Sequence, residues 1–231
     1  MYYFDPYYFL LVVPALLLGL WAQSRVQSTY RKYSQVHGSR GYTGQQAARY
    51  ILDQNGLQHV RIEPIAGNLT DHFDPRSNTV CLSEGVYHST SIAAVGIAAH
   101  ECGHAVQHST HYAPLKVRSA IIPVTNIGTK AAVPLLLIGL VLNVYPLILI
   151  GLIGYSLIAV FQLVTLPVEY NASRRAMAVI SNAWLLDEEE QAGAKKVLSA
   201  AALTYVAALV SSLAQLLRMV LLYGGRGRRR D

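Results

Sequence analysis

The chain has 231 residues, of which 52% are hydrophobic and only 14% are charged. A typical soluble domain carries about 25% charged residues, so this composition excludes a disordered protein and argues against an ordinary cytosolic enzyme. The 19 Lys and Arg outnumber the 13 Asp and Glu, which gives a net charge of +6. In an apolar chain this excess is typical of loops beside a bilayer, so we expect membrane lipid and not nucleic acid as a partner. Two cysteines make no disulfide framework.

Three long stretches carry no charged residue: 6–24, 131–168 and 197–217. Because a membrane helix needs about 20 apolar residues, the first predicts a transmembrane anchor over 6–24, and the absence of a basic start argues against a cleaved signal peptide. The second predicts a hairpin of two spans over 131–168 that turns near Asn143. The third predicts a helix over 197–223 that either crosses the membrane or lies in its plane, followed by a basic tail, 224–231.

The segment 25–118 is predicted to form a small domain outside the membrane. Thr43-Gly-Gln-Gln46 fits a capping box, so a helix should follow and end at Asn55–Gly56. Short strands are expected at Val60–Glu63 and Thr79–Leu82, and the polar stretch Asp71–Asn78 between them has the composition of a turn. One of the residues 89–91 then caps an Ala-rich helix that runs to about Ser109.

That helix carries the sequence His100-Glu101-Cys102-Gly103-His104. Residues four apart share one helix face, so the two imidazoles can bind one zinc ion. The glutamate beside the first histidine reaches a water that zinc acidifies, and it can accept the proton of that water. We therefore predict one Zn²⁺ per chain, with His100 and His104 as ligands and Glu101 as general base. Cys102 points away from the two histidines and is predicted to be a small buried side chain.

A catalytic zinc site needs a third protein ligand. His108 lies eight residues after His100, about 12 Å along the helix axis, so both cannot bind one ion. The better candidate is Glu169, the first charged residue after 38 neutral ones, on a helix that is predicted to begin at Pro167. This helix and a linker are predicted to occupy 169–196. The hairpin would return this helix to the membrane face that the chain left at Lys130. The alternative is a carboxylate that merely lies at the membrane interface.

The segment His-Glu-Cys-Gly-His-Ala-Val-Gln-His, 100–108, resembles the YugP-like membrane zinc metallopeptidases, as do segments 71–78 and 166–175. A more distant resemblance is to the HtpX-type membrane proteases. The resemblance covers nearly the whole chain, and it implies the ligands His100, His104 and Glu169 and the base Glu101. It also implies that an edge strand pairs with substrate, at Asn78, Thr79 and Val80.

The HtpX-type pattern has an aspartate that supports a histidine ligand, and Ser173 stands in its place here. The groups that orient the ligands must therefore come from elsewhere, with Asn171 or Ser173 as candidates. The group that stabilises the oxyanion is not defined by the sequence. The candidates for these supporting or oxyanion roles are His72, His108, His111, Tyr170, Asn171 and Ser173.

Together these features predict a mainly α multi-pass membrane protein with a small zincin-like α+β metalloprotease domain. The predicted activity is that of a metalloendopeptidase that hydrolyses protein or peptide substrates. One alternative is an intramembrane site-2-type protease, but that class takes an aspartate ligand from a later span, and no aspartate lies between Asp74 and Asp187. The other is a non-catalytic zinc-binding scaffold, which would have no use for a base at Glu101.

The charges near the membrane ends predict the orientation. Four cations follow the last apolar segment, in the tail 224–231. Nine lie on the side of the domain: Arg25, Arg31, Lys32, Lys116, Arg118, Arg174, Arg175, Lys195 and Lys196. We therefore expect an integral protein of the bacterial plasma membrane whose catalytic domain faces the cytoplasm. The tail opposes this assignment if the last helix spans the bilayer. The sequence predicts no oligomeric state.

Overall fold

The structure is a computed structural model that describes residues 5–223, so the predicted basic tail lies outside the described residues. It is mostly helical, with one small sheet. The chain divides into two compact units. The first comprises the residues up to Ala22, Lys116–Leu166 and the residues from Thr204 onward, and the second comprises Gln23–Leu115 and Pro167–Leu203.

The helices and strands follow one another in a simple order. After a π-helical turn at Tyr8–Val12, the helices are α1 (Val13–Tyr33), α2 (Gly44–Gln54), α3 (Glu84–Tyr87), α4 (Ile92–Ser109), α5 (Ala113–Val141), α6 (Tyr145–Asn182) and α7 (Glu188–Tyr223). The strands, between α2 and α3, are β1 (Arg61–Ile65), β2 (His72–Asp74) and β3 (Thr79–Ser83). Within residues 5–223, four helices are long and apolar enough to cross a membrane: Tyr8–Tyr33, Ala113–Val141, Tyr145–Asn182 and Glu188–Tyr223.

The hairpin turns where the sequence predicted, between the end of α5 and the start of α6, with Asn143 in the left-handed region at φ 56°. Its first arm is longer than predicted, because α5 begins at Ala113 and not at Ala131. The 11 residues 131–141 would cover only about 16 Å of a hydrocarbon core of about 30 Å. The helix therefore continues through Lys130, whose side chain is exposed and can extend toward the interface.

The prediction that a new helix begins at Pro167 is wrong. Pro167 lies inside α6, which runs without a break from the second arm of the hairpin through Glu169 to Asn182. A proline inside a helix leaves one carbonyl, four residues earlier, without its helical donor, and long apolar helices tolerate this loss. Glu169 is thus carried on the same continuous helix as the second arm.

In the first unit, α7 runs antiparallel to α1. Arg218 near the end of α7 forms an ion pair of 2.6 Å with Asp5 at the start of the chain. Further along, the Ser211 hydroxyl donates to the Ala15 carbonyl at 3.3 Å, and Ser212 donates to the Leu209 carbonyl within α7. The hydroxyls that make α7 less apolar than a typical span are therefore hydrogen-bonded inside the unit.

In the second unit, α2 begins as the sequence predicted. The Thr43 side chain accepts a hydrogen bond from the Gln46 backbone, and the Gln46 side chain accepts one from the Thr43 backbone, which forms the capping box. The helix ends at Gln54, and Gly56 follows with φ 71°, in the left-handed region that favours glycine.

The sheet has three strands, with β1 parallel and β2 antiparallel to β3. β2 lies within the stretch that was predicted to be a turn, so that prediction is wrong for His72–Asp74. The turn itself is confined to the residues after Asp74. The Asp74 carboxylate stabilises it by accepting hydrogen bonds from the Arg76 backbone and the Ser77 hydroxyl. Three residues are too few to show an alternation of polar and apolar side chains, which is why the sequence missed this strand.

The prediction that Asn78, Thr79 and Val80 form an edge strand is also wrong. β3 is the central strand, in the order β1-β3-β2. Thr79 is paired with Arg61 on one side and with Asp74 on the other. A substrate therefore cannot add a strand beside β3, and the two edges of the sheet belong to β1 and β2.

Helix α4 forms the centre of the second unit. Its N-cap is Ser91, whose hydroxyl accepts a hydrogen bond from the Ala94 backbone. Small buried side chains, including Ala98 and Ala99, let α2 and the sheet pack closely against it. Cys102 is fully buried, as predicted, with its sulfur 3.5 Å from the Ala48 carbonyl, and burial raises the pKa of its thiol.

Candidate metal centre

Three predicted ligands from two helices converge in the second unit. His100 and His104 lie one turn apart on α4, and their rings are nearly perpendicular, with centroids 4.7 Å apart. Glu169 comes from α6 and is 3% exposed. Its Oε2 lies 3.4 Å from His100 Nε2 and 3.5 Å from His104 Nε2. The possible ligand atoms of all three side chains lie within 4.8 Å of one another.

This arrangement fits a zinc ion. Zinc binds imidazole nitrogen and carboxylate oxygen at about 2.0–2.2 Å, so neighbouring ligand atoms of a tetrahedral site lie about 3.3 Å apart. The two distances from the Glu169 oxygen to the histidine nitrogens are close to this value. Two histidines and one carboxylate also leave a fourth position free, as hydrolytic zinc sites require.

Gly103 permits the close approach of the two ligand-bearing helices. A Cβ atom at this position would lie 2.7 Å from the carbonyl oxygen of Ala172 on α6. Any larger residue would push the helices apart, because that oxygen belongs to the backbone and cannot rotate away. The absence of a side chain at Gly103 therefore brings α6, with Glu169, within reach of both histidines.

Gln107 connects His104 to the helix that carries Glu169. Its side chain is completely buried, and its Oε1 lies 3.0 Å from His104 Nδ1. Its Nε2 donates to the backbone carbonyl of Val168 at 2.8 Å and to Asn171 Oδ1 at 3.0 Å. Arg175 Nε also donates to that Asn171 oxygen, at 2.8 Å. One buried amide thus spans the gap between a ligand on α4 and the residues on either side of the ligand on α6.

The same hydrogen bonds select the tautomer of His104. Asn171 presents its oxygen to the Gln107 amide because Arg175 can only donate. Gln107 must then use its nitrogen toward α6 and its oxygen toward His104. The oxygen accepts a proton only from a protonated Nδ1, so Nε2 keeps its lone pair for a metal ion.

His100 is supported by Ser173, which stands where the HtpX-type pattern has an aspartate. Its hydroxyl lies 3.1 Å from His100 Nδ1. A hydroxyl can accept a hydrogen bond from Nδ1–H without carrying charge. Each histidine of the cluster therefore has a neutral partner on its outer nitrogen.

The charges around the cluster are carboxylates inside an apolar core. Glu101 is buried beside His100 on α4, at 8% exposure. Burial by itself lowers the pKa of His104, but the Glu169 and Glu101 carboxylates outweigh it and raise that pKa above its usual value. The site therefore attracts positive charge, as a cation-binding centre requires.

The other candidates for supporting or oxyanion roles, apart from Asn171 and Ser173, are more exposed than the three ligands. His108 is exposed and packs its ring against Phe73, with centroids 5.8 Å apart. His72 is exposed and contacts the Thr70 carbonyl, and His111 is exposed after the end of α4. Tyr170 is half exposed beside Glu169. Among the predicted supporting residues, the structure brings Ser173 to a ligand directly and Asn171 through Gln107.

Sequence reasoning missed Gln107 and Gly103. Gln107 lies three residues after His104, a spacing at which side chains meet on one helix face, so the pattern contained a usable signal. Gly103 stood inside the motif, but only the position of α6 gives it a role. Arg175 had been counted only as a charge near the membrane.

The structure combines apolar helices that could cross a membrane with a cluster that could hold a metal ion, and the comparisons with known proteins identify the class as a zinc metallopeptidase. The chain belongs to the family described as "Putative neutral zinc metallopeptidase", whose model matches residues 8–224. It is 49% identical over 213 residues to the "Putative membrane protease YugP" of Bacillus subtilis (strain 168). That alignment covers 92% of this chain and 95% of the relative. No solved structure matches the chain.

Proposed function

We propose that this protein is a membrane-bound zinc metalloendopeptidase of the HExxH-plus-glutamate type, with a zincin-like catalytic domain. The observation that carries the proposal is the convergence of His100, His104 and Glu169 from two helices, with the carboxylate oxygen 3.4 and 3.5 Å from the two imidazole nitrogens. One zinc ion per chain is the proposed cofactor, held by these three side chains.

The proposed chemistry assigns a distinct task to each residue. Bound zinc would acidify a water molecule and polarise the substrate carbonyl. Glu101 accepts the proton of the attacking water and later donates it to the nitrogen of the leaving amine. Gln107 and Ser173 hold the two imidazoles in the orientation and tautomer that binding needs.

The proposed route for substrate is the β2 edge of the sheet. β2 packs on α4, the helix that carries the base, and its outer side has no partner strand among the described residues. The other edge strand, β1, contains Pro64, which has no backbone donor and makes a poor template for an added strand. An extended peptide beside His72–Asp74 would lie along the side of the sheet nearest the base.

The two alternatives account for fewer observations. An intramembrane site is disfavoured because all three ligands belong to the unit that contains the open-edged sheet, and open sheet edges do not occur in the hydrocarbon region. A non-catalytic zinc scaffold leaves a buried carboxylate, Glu101, without a purpose next to the cluster.

The test is the substitution Glu101→Gln in the full-length protein. Glutamine has the same shape but cannot accept the proton, and general-base catalysis contributes about 10²–10⁴-fold. We expect hydrolysis of a protein substrate to fall by at least about 100-fold, while zinc content and thermal unfolding stay near those of the wild type. Glu84→Gln, which removes an exposed carboxylate outside the cluster, is the matched control and should retain full activity.

Hydrolysis at a near wild-type rate by Glu101→Gln would contradict the role of the base. A purified wild type that holds stoichiometric zinc but cleaves no protein or peptide would favour the scaffold. Zinc analysis and activity must therefore be measured on the same preparations.

A further inference from the structure

A basic groove lies between α1 and the first turns of α7, away from the metal cluster. Its volume is about 730 Å³, and it lies entirely within the second unit. The polar residues that line it are four cations and four hydroxyl-bearing residues: Arg25, Lys32, Lys195, Lys196, Ser28, Thr29, Tyr33 and Ser199. No carboxylate is among the lining residues.

Among the described residues, the cations of this groove are not paired with carboxylates, although Lys32 lies over the Tyr33 ring, 5.5 Å from the ring centroid. The other cation–carboxylate pairs on this unit, such as Arg40–Asp187 and Arg49–Asp53, show that partners are available elsewhere on its surface. Four like charges around one cavity repel one another, so a bound anion would reduce the electrostatic repulsion among them.

The two walls of the groove are held at a fixed separation. A Cβ atom at Gly193 of α7 would lie 2.7 Å from Cε1 of Tyr33 on α1, so the helices touch beside the groove. On its other side α7 is packed against α4, where Gly96 meets Ala194. The groove is therefore formed by two helices whose separation is fixed by packing on both sides of α7.

The position of the groove along its two helices identifies the source of the anion. Arg25 is the first charge after the apolar stretch 6–24 in α1, and Lys196 is the last charge before the apolar stretch 197–217 in α7. Both helices are apolar and long enough to cross a membrane. The cations thus stand at the depth at which lipid headgroups surround a membrane helix, and the hydroxyls add donors for phosphate oxygens.

We propose that this groove binds the phosphodiester headgroup of an anionic phospholipid. The lysines and Arg25 neutralise the phosphate charge, and the apolar side chains Ala200 and Leu203, further along α7, face the start of the acyl chains. The site is separate from the proteolytic activity and would remain if that activity were absent.

The test uses the full-length protein in a non-ionic detergent, with lipid binding measured by native mass spectrometry. Short-chain phosphatidylglycerol, short-chain phosphatidylcholine and inorganic phosphate are titrated separately. Each Lys or Arg near a bilayer surface contributes about fivefold to the affinity for anionic lipid. We therefore expect Arg25→Gln/Lys32→Gln/Lys196→Gln to weaken phosphatidylglycerol binding by about 10- to 100-fold.

The matched control removes three exposed cations that lie outside the groove and are not among those near the membrane ends, with Arg40→Gln/Arg61→Gln/Arg76→Gln. It makes the same change in net charge, and we expect it to lose at most about threefold of the affinity, since distant surface charges are screened. A second variant, Ser28→Trp, fills the groove without changing the charge and should also abolish phosphatidylglycerol binding. Thermal unfolding of all variants checks that they are folded.

Three results would overturn the proposal. Equal binding of phosphatidylcholine and phosphatidylglycerol by the wild type would remove the preference for an anionic headgroup. An equal loss in the control triple variant would show that net charge, and not the groove, attracts lipid. Inorganic phosphate that binds more tightly than the lipid would assign the groove to a soluble phosphate.

Discussion

Glu169 and His108 are both ionisable residues near the motif, yet the structure gives them opposite roles. The Glu169 carboxylate is buried against both histidines, whereas His108 is exposed on the far end of α4. We expect Glu169→Ala to lose zinc, because only two ligands remain, and His108→Ala to keep it.

Metal analysis of the two purified variants measures this difference. Loss of a ligand should cost more affinity than the 10- to 100-fold of a change in a supporting residue. Stoichiometric zinc in Glu169→Ala together with an empty His108→Ala would refute the ligand assignment.

Gln107 makes a separate prediction, because it acts on the metal only through His104. Leucine has a similar size but offers no acceptor to Nδ1 and leaves the Val168 carbonyl without its side-chain donor. We expect Gln107→Leu to lower the zinc affinity about 10- to 100-fold and to destabilise the fold. Addition of excess zinc should restore most of the activity.

Competition with a zinc chelator gives the affinity of this variant. Gln107→Glu keeps the acceptor and serves as the comparison, so its chelator profile should lie closer to that of the wild type. Identical profiles for the leucine variant and the wild type would show that the Gln107 hydrogen bond does not orient the ligand.

At the scale of helices, the close approach of α4 and α6 depends on Gly103. An alanine there would place Cβ 2.7 Å from the Ala172 carbonyl oxygen, so the helices must separate. Overpacking of this kind costs about 1–3 kcal/mol, and the shift also moves Glu169 away from the histidines. We expect Gly103→Ala to lower both the melting temperature and the zinc affinity.

Gly96→Ala on the same helix is the matched control. Its Cβ would meet Ala194 at 3.4 Å, which is an ordinary contact, and alanine favours the helix by about 1 kcal/mol over glycine. The melting temperature of Gly96→Ala should therefore equal or exceed that of the wild type, and its zinc affinity should stay near the wild-type value. Equal effects of Gly103→Ala and Gly96→Ala would show that the α4–α6 contact is no more sensitive to an added methyl group than the contact at Gly96.

Local signals in the sequence predicted several elements well. The capping box at Thr43, the helix cap within residues 89–91, which the structure assigns to Ser91, and the turn at Asn143 each depend on residues within one or two turns of one another. β2 and the central position of β3 were missed, because strand order depends on pairing between distant segments. The continuity of α6 through Pro167 was also missed, since its helical path is stabilised by packing that the local sequence does not show.

At the scale of the whole molecule, the side-by-side arrangement of α1 and α7 sharpens the predicted topology. In the first unit they are antiparallel and joined by Asp5–Arg218 and Ala15–Ser211. If α1 crosses the membrane, α7 crosses it beside α1, so the alternative of an in-plane last helix loses support. Because nine cations on the domain side outnumber four in the tail, the positive-inside rule still predicts that the domain faces the cytoplasm.

Cysteine labelling tests this orientation. We expect His59→Cys, an exposed position outside the apolar helices, to resist an impermeant thiol reagent on intact cells and to react after lysis. The background is a chain with Cys81→Ser and Cys102→Ala, because both native thiols must be absent. Labelling on intact cells would place the second unit, which holds the metal cluster, outside the cytoplasm.

The sequence alone identified two candidate metal ligands on one helix and the helices that are apolar enough to cross a membrane. Spacing of four residues on one helix decides that His100 and His104 can share an ion, and the lengths of the uncharged stretches decide that helices can span a bilayer. Both depend on residues close together in the chain, where the geometry of the helix is known in advance.

Only the tertiary structure decided how the site is completed. The approach of α6 to Gly103 brings Glu169 to both histidines across 65 residues of chain, and the buried amide of Gln107 then selects the tautomer of His104. The pairing of β3 on both sides likewise moves the free edge to β2. These features depend on which distant segments pack together, and that is set by the burial of the whole core and not by any local pattern.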